Sequence, residues 1–182
     1  MDPLQYAIYK GTGGKFGAVQ LNLQSPHFYH GKRKDYQGRV GDDEGAAFRL
    51  EDGRRVLKEG WKQREGAIFM QITSPKGKNV YDWENKIIMA LSINDIGKVM
   101  MALLTGEKCE LMHDPGAKSQ SQGTVKKYLT VSSPKGPAVG VLISATQVSG
   151  NDKRTHTVPV TGDEVIVLRS LLQQAISRTL NW

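Results

Sequence analysis

The chain has 182 residues, of which 38% are hydrophobic, and it carries 25 Lys and Arg against 18 Asp and Glu, a net charge of +7. This length fits one domain or two small halves that share a core, and the charge fits either a polyanionic partner, nucleic acid or an anionic membrane surface, or solubility alone. The single cysteine, Cys109, excludes an internal disulfide framework, and no apolar run approaches the roughly 18 residues that a membrane-spanning helix needs.

Two strands are predicted at the start of the chain, over residues 6–10 and 16–23, because apolar and polar side chains alternate along them. Thr12-Gly13-Gly14 supplies the turn between them. The Gly-Thr-Gly-Gly-Lys sequence here is not a Walker phosphate loop, because Tyr9 stands where that loop needs glycine and Phe16 where it needs serine or threonine. We therefore expect a hairpin rather than a nucleotide site.

An irregular insert is predicted over residues 25–43, where Pro26 and several glycines interrupt the apolar pattern and Lys32-Arg33-Lys34 adds charge. We expect a mobile loop there. Residues 45–50 predict a short strand, and residues 54–61 fit either the second arm of a hairpin or a short helical turn.

A strand, a helix and a second strand are predicted in succession in the middle of the chain. The apolar run over residues 86–91 stops at Ser92, which forms a capping box with Asp95 three residues on. Apolar residues then recur at helical spacing up to Gly106, the residue type expected just past a helix end. Residues 107–112 predict the next strand.

The rest of the chain predicts further strands and a closing helix. A capping box at Thr161 and Glu164 opens an amphipathic helix near the C-terminus. Two runs of strands, each ending at a helix cap, favour an α+β fold with antiparallel sheets over βαβ units. Strands with period-two alternation are predicted over residues 66–73, 124–131, 138–147 and 154–160.

A series of short motifs runs in a recognisable order along nearly the whole chain. In sequence they are Tyr6-x-Ile8-Tyr9-Lys10-Gly11, Gly17-Ala18-Val19, Tyr81-Asp82-Trp83, Lys86, Ala90-Leu91-Ser92, Ile96-Gly97, Cys109-Glu110, His113-Asp114-Pro115, Gly123-x-Val125-x-Lys127, Thr157-Val158-Pro159-Val160 and Trp182. Their shared order resembles that of the Whirly family of single-stranded-DNA-binding proteins. The resemblance implies one domain over residues 1–182 in which two four-stranded antiparallel sheets and two helices follow the order β4-α-β4-α. It also implies assembly as a homotetramer.

The sequence offers no convincing catalytic or metal-binding combination. His27, His30 and Asp35 lie in the insert without a fourth ligand or a nearby cysteine. His113-Asp114 has no nucleophile motif to act with. We therefore expect no enzymatic activity, no cofactor and no bound metal.

Cations and aromatic rings on exposed strands predict a surface for unpaired nucleic acid, because cations follow the phosphates and rings stack on the bases. Lys126 and Tyr128 alternate with Val125 and Leu129, so they point outward if those two are buried. The predicted contacts are Lys10, Lys15, Phe16, Tyr81, Trp83, Lys86, Lys126 and Tyr128.

Two pairs among these residues have an equally simple structural explanation. Tyr81 and Trp83 fit core packing at the entrance to a strand as well as they fit base contact. Lys10 and Lys15 fit the solvated cations of a hairpin. For the second pair a functional role is favoured, because this segment resembles the Lys-Gly motif that Whirly proteins use in DNA binding and higher assembly.

The predicted function is binding of single-stranded DNA with little sequence preference, in DNA maintenance, recombination or transcription. Two alternatives stay open. One is an RNA-binding module, since guide-RNA-binding proteins share the fold that the resemblance implies. The other is a transcription or recombination factor that acts mainly through a protein partner.

A cytoplasmic location is expected, because no charged-then-apolar leader precedes the first strand. Plant Whirly proteins carry organelle-targeting extensions, and here the first predicted strand begins close to Met1. This difference predicts a prokaryotic, nucleoid-associated or viral member of the family, or a trimmed one.

Overall fold

The structure is a computed structural model that describes residues 5–10, 16–24, 26–30, 47–64, 66–114, 125–134 and 140–180. In chain order its elements are β1 (Gln5–Tyr9), β2 (Ala18–Gln24), β3 (His27–His30), β4 (Phe48–Glu51), β5 (Arg54–Leu57), β6 (Trp61–Arg64), β7 (Ala67–Thr73), β8 (Pro75–Gly77), β9 (Val80–Tyr81), a 3-10 turn (Trp83–Asn85), β10 (Ile87–Leu91), α1 (Ile93–Thr105), β11 (Cys109–His113), β12 (Val125–Ser132), β13 (Gly140–Ser149), β14 (Asp152–Thr161) and α2 (Gly162–Leu180).

Two four-stranded antiparallel sheets form the body of the protein. Sheet 1 has the order β1-β2-β7-β10 and leads into α1, and sheet 2 has the order β11-β12-β13-β14 and leads into α2. The predicted α+β fold is therefore confirmed. The strands predicted from period-two alternation are confirmed to within about two residues at each end, the usual uncertainty of such boundaries.

Both sheets and both helices share one apolar core. Along each strand of the two sheets the apolar side chains of one face are buried, as period-two alternation requires, and the apolar stripes of the helices contact them. Each fully buried large aliphatic side chain stabilises the fold by about 1.5–3 kcal/mol. The fully buried side chains include Ile72, Met89, Ile96, Leu129, Ile143, Leu168 and Leu172. No helix in the described ranges is long and apolar enough to cross a membrane.

The ends of α1 match the sequence prediction. The Ser92 hydroxyl accepts a hydrogen bond from the Asp95 amide at 3.3 Å, and the Asp95 carboxylate accepts one from the Ser92 amide at 3.0 Å. At the other end Gly106 adopts φ 74° and its amide donates to the Ala102 carbonyl. His113 Nε2 lies 3.2 Å from the Asp95 carboxylate and so connects the end of β11 to the start of α1.

A β arm, defined as residues 26–30 and 47–64, lies between β2 and β7. The prediction of an irregular insert over residues 25–43 is wrong for residues 27–30, because β3 pairs with β6 and continues the ladder that β2 forms with β7. Residues 31–43 lie outside the described ranges, so a loop there stays a prediction. Of the two possibilities left open for residues 54–61, the hairpin is confirmed, since β5 pairs with β4.

Candidate nucleic-acid interface

Three aromatic rings meet at one end of sheet 1. The ring centroid of Tyr9 lies 5.2 Å from that of Tyr81 and 6.4 Å from that of Trp83, and the last two rings are 6.5 Å apart. Tyr9 is 54% exposed, and Tyr81 and Trp83 are partly buried and lie outside the apolar core. These three side chains, the aromatic cluster, therefore present ring surface to solvent.

The cluster is positioned by β1 and by the segment of β9 and the 3-10 turn that follows β7 and β8. Tyr9 follows the buried Ile8 in β1, so alternation directs it to the opposite face. Tyr81 and Trp83 flank Asp82, whose carbonyl accepts a hydrogen bond from the Thr73 hydroxyl at the end of β7. Tyr9 is thus held by β1, and the segment that bears Tyr81 and Trp83 is bonded to the end of β7.

Two further predicted contacts lie at the same end of sheet 1. Lys86 directly precedes β10, where Ile87 pairs with Ile72, and it is partly buried. Phe16 is 42% exposed and directly precedes Gly17. The Gly17 carbonyl accepts a hydrogen bond from the Lys10 amide. The structure therefore brings Phe16, Tyr81, Trp83 and Lys86 to one end of one sheet. Lys15 lies outside the described ranges.

Lys10 is at this end too, but its ammonium group has a partner. It forms an ion pair with Glu164 at 2.6 Å, and the same carboxylate accepts hydrogen bonds from the amide and hydroxyl of Thr161 at 2.8 and 2.9 Å. Burial raises the pKa of Glu164, but the hydrogen bonds from Lys10 and Thr161 outweigh it and leave that pKa below its ordinary value. Lys10 thus connects β1 to the start of α2, which makes it less available for phosphate than the prediction assumed.

Glu164→Gln is expected to lower the free energy of unfolding by roughly 1 kcal/mol at pH 7, because the neutral amide loses the charge that faces Lys10 and the N-terminus of α2. Because the pKa of Glu164 is lower in the folded than in the unfolded protein, its carboxylate stabilises the folded state at pH values above the ordinary glutamate pKa. This stabilisation is lost as the pH falls through the lowered pKa. Urea unfolding of both proteins at pH 7 and at pH 3 measures this difference.

The expected result is a difference that is smaller at pH 3 than at pH 7. Glu107→Gln is the matched control, because Glu107 is exposed and has no ion pair within the described part of the chain. A Glu164→Gln effect of equal size at both pH values would show that the carboxylate charge does not stabilise this contact.

Lys126 and Tyr128 lie on the other sheet. Lys126 is exposed and Tyr128 is 37% exposed, and both occupy the face of β12 opposite to the buried Leu129. Tyr128 pairs with Met112 on one side and with Thr146 on the other. This pair is therefore accessible, as predicted, but it forms a separate surface on sheet 2 rather than part of the aromatic cluster.

Additional cations lie where the two sheets meet, and sequence reasoning missed them. Lys127 donates a hydrogen bond from Nζ to the Ile88 carbonyl of β10 at 3.0 Å. Burial, and then the nearby charge of Arg154, lower the pKa of Lys127. Arg154 and His156 also contact Asn85 of the 3-10 turn, at 3.4 and 3.1 Å. Positive charge from sheet 2 is thereby placed next to the turn that bears Trp83.

The outward face of sheet 1 continues the cluster with amide groups and one more ring. Gln20 pairs with Gln71 and Asn22 pairs with Phe69, and Gln20 Nε2 donates to Asn22 Oδ1 at 2.9 Å. Gln71 is buried, whereas Gln20 and Asn22 are partly exposed. The amides of Gln20 and Asn22 both donate and accept hydrogen bonds, so they can contact sugars or base edges without requiring one base. Alternation along the two strands is the signal that could have identified them.

Two of the candidate metal ligands, His27 and His30, lie in β3 of the β arm and not at this end of sheet 1. Within the residues that the structure describes, no three His, Cys, Asp or Glu side chains are arranged to hold a metal ion. His30 contacts the ring of Trp61 at 5.7 Å between centroids. Asp35 lies outside the described ranges, as does the side chain of His27.

The fold and the site together define a class of protein, an α+β domain of two four-stranded antiparallel sheets with rings and cations exposed at the end of one sheet. Residues 53–171, more than half of the chain, match the family model described as Whirly transcription factor. The chain belongs to the Whirly family.

Relatives and solved structures agree with this membership. The chain is 28% identical over 178 residues to "Single-stranded DNA-binding protein WHY1, chloroplastic" of Solanum tuberosum, covering 97% of this chain and 54% of that protein. It is 31% identical over 122 residues to "Single-stranded DNA-binding protein WHY2, mitochondrial" of Arabidopsis thaliana, covering 65% of this chain and 50% of that protein. The chain thus spans about half the length of these two relatives.

The fold is shared with solved structures at low sequence identity. The structure of the plant transcriptional regulator PBF-2 superposes with a TM-score of 0.71 at 24% identity, covering 100% of this chain and 85% of that chain. The structure of WHY3 from Arabidopsis thaliana superposes with a TM-score of 0.71 at 24% identity, covering 98% of this chain and 89% of that chain. At this level of identity the likeness shows the fold alone.

Proposed function

We propose that the protein binds single-stranded DNA with little sequence preference. The observation that supports this most directly is the aromatic cluster, in which Tyr9, Tyr81 and Trp83 expose ring surface beside Lys86. Sequence-tolerant binding of a single strand uses such rings for stacking and nearby cations for the phosphates. The names of the two relatives, both single-stranded DNA-binding proteins, point the same way.

The proposed contacts are sufficient for a micromolar dissociation constant. Stacking of a base on an aromatic side chain contributes roughly 1–3 kcal/mol, so a few stacked bases and phosphate contacts reach the roughly 8 kcal/mol of a micromolar Kd. Phosphate contacts come from Lys86 and Lys126, with Phe16 and Tyr128 as additional stacking surfaces. Lys15 stays a predicted contact, and Lys10 acts mainly through its pairing with Glu164.

A duplex is a poor ligand for this arrangement, because its bases are already paired and stacked and their faces are not available to the rings. We therefore expect an unpaired oligonucleotide to bind at least about 10-fold more tightly than the duplex of the same sequence, with a Kd that rises with salt. Fluorescence anisotropy with both labelled ligands over a salt series measures this. Equal affinity for the two, or no binding of either, would contradict the proposal.

The same titration separates DNA from RNA. Matched unlabelled RNA that displaces the DNA at equal concentration would show that the site does not depend on the sugar, and RNA that displaces it more effectively would favour the RNA-binding alternative. The protein-partner alternative would be favoured by a pull-down that survives nuclease treatment. We propose no catalytic activity.

We propose a homotetramer as the assembled form. Four large apolar side chains on the two helices are exposed in the single chain, and apolar surface of this kind often marks a contact between subunits. They are Met101 and Leu104 on α1 and Ile166 and Val167 on α2. Light scattering at micromolar concentration would give four times the mass of the chain, and a monomer mass would contradict this.

A role in transcription is the process that we favour, because the family model is described as a transcription factor. Roles in recombination and repair stay predictions, as does the cytoplasmic location. The names of the relatives place those proteins in chloroplasts and mitochondria.

A further inference from the structure

The β arm extends the central ladder of sheet 1 beyond the edges of that sheet. Gln24 pairs with Ala67 and His27 pairs with Arg64, so the β2–β7 register continues unchanged into β3 and β6. Within the described residues, the flanking strands β1 and β10 do not follow, since their last pairs are with Asn22 and Ile68. Four residues per strand therefore project roughly 13 Å past the sheet, at the end opposite to the aromatic cluster.

The arm is a folded platform with its own apolar contacts. Phe28 is buried against Phe48, with ring centroids 4.8 Å apart in an edge-to-face arrangement, and Ala47 is fully buried. The Arg55 guanidinium lies over the Phe48 ring, 4.4 Å from its centroid. A two-stranded ribbon alone is marginal in water, so these contacts are what allow the arm to hold a fixed shape.

The base of the arm is fixed to the body of the domain. The amide of Gly66 donates to the Thr179 carbonyl of α2 at 3.3 Å. A Cβ atom at position 66 would lie 2.7 Å from the Gln24 carbonyl and 2.9 Å from Thr179, so only glycine fits this close approach. The arm thus keeps its direction relative to sheet 1.

The arm carries more positive charge per residue than the chain as a whole. Residues 47–64 contain six Lys or Arg against three Asp or Glu. One of these acids, Glu51, is neutralised by Arg49 at 2.6 Å. Arg54 and Lys62 are exposed, and within the described ranges neither has an ion-pair partner. Two unpaired cations on a rigid ribbon suit a flexible polyanion.

We propose that the β arm is a second contact for the same single strand, with Arg54 and Lys62 binding its phosphates. This inference rests on the proposed function. A strand that follows β2 and β7 away from the aromatic cluster moves toward the arm, because the ladder of these two strands continues into β3 and β6. The thirteen positions from Ala18 to His30 span roughly 40 Å, so only long oligonucleotides contact both ends. The arm lengthens the site rather than creating a new specificity.

The test compares two oligothymidylates, one of about 6 and one of about 24 nucleotides, a range that brackets typical single-strand site sizes. The arm variant is Arg54→Ala with Lys62→Ala in the full chain. For the longer oligonucleotide we expect about 5- to 20-fold weaker binding at low salt and a salt slope reduced by about 1.4, the loss of two phosphate contacts at roughly 0.7 each. For the shorter one the Kd is expected to be unchanged.

Lys98→Ala with Lys108→Ala is the control for total charge, since it removes two exposed lysines from α1 and the segment after it, of which Lys108 pairs with Glu110 at 2.7 Å. It is expected to bind both oligonucleotides as the wild type does. Wild-type protein that binds neither length would reject the proposed function and the arm together. Wild-type protein that binds both, with an arm variant that is unchanged or equally weakened at both lengths, would reject the arm alone. A changed assembly mass in light scattering would assign the arm to subunit contacts and also reject it.

Discussion

Trp83→Ala is expected to weaken binding of single-stranded DNA by roughly 5- to 150-fold, the equivalent of one stacked base at about 1–3 kcal/mol. The ring of Trp83 contacts both Tyr9 and Tyr81, so its loss also removes the edge contacts that orient the other two rings. Trp83 is partly buried and is not a member of the apolar core, so the fold should survive the change. Anisotropy titration at fixed salt measures the loss.

The salt dependence distinguishes stacking from charge at this site. Removing a ring leaves the phosphate contacts in place, so the slope of log Kd against log salt is expected to stay at the wild-type value. Trp83→Phe is the matched control, because it keeps a ring at the same position and should retain most of the affinity. Wild-type affinity in Trp83→Ala would show that the aromatic cluster is not where bases stack.

Local sequence signals predicted the parts of the fold that depend on local physics. Ser92, Asp95 and Gly106 are the required residues at fixed offsets in a helix, so the ends of α1 could be placed from the sequence. The strands of both sheets could be located from alternation, because successive side chains of a strand point in turn to the buried and to the exposed face of the sheet.

The side-chain contacts at the site depend on residues far apart in the chain, and no local pattern encodes them. Lys10 and Glu164 were each assigned a role from the sequence, but nothing there shows that they pair with each other. Asn85 contacts Arg154 only because the 3-10 turn packs beside β14. Lys10 is the predicted contact for which this matters most, because its charge was assumed to be free.

The strand β3 of the β arm also depends on residues far apart in the chain, so no local pattern predicted it. Four residues after Pro26 are too few to establish a period, so residues 27–30 looked irregular in the sequence. Their strand conformation comes from the register of β2 and β7, which continues into them. The order of elements was predictable, whereas the continuation of one ladder past the edge of its sheet was not.

Gly17 contacts the backbones of both sheets. Gly17 donates its amide to the Thr157 carbonyl of β14 at 3.5 Å, and its carbonyl accepts from the Lys10 amide at 3.1 Å. A Cβ atom at this position would lie 1.6 Å from the Thr73 carbonyl oxygen of β7, and that oxygen belongs to the backbone and has no alternative rotamer. Residue 17 is thus bonded to β14 of sheet 2, and only glycine fits against the β7 backbone of sheet 1 at this position.

Gly17→Ala is therefore expected to destabilise the protein by about 3 kcal/mol, at the upper end of the range for overpacking, and to lower Tm by about 6–12 °C for a chain of this size. Gly97→Ala is the matched control, because a Cβ atom there meets nothing within 4 Å and alanine favours the helix interior by roughly 0.5–1 kcal/mol. Calorimetry of the two variants should thus give shifts of opposite sign from one chemical change. A Gly17→Ala protein as stable as the wild type would mean that the Thr73 carbonyl of β7 does not approach residue 17 this closely.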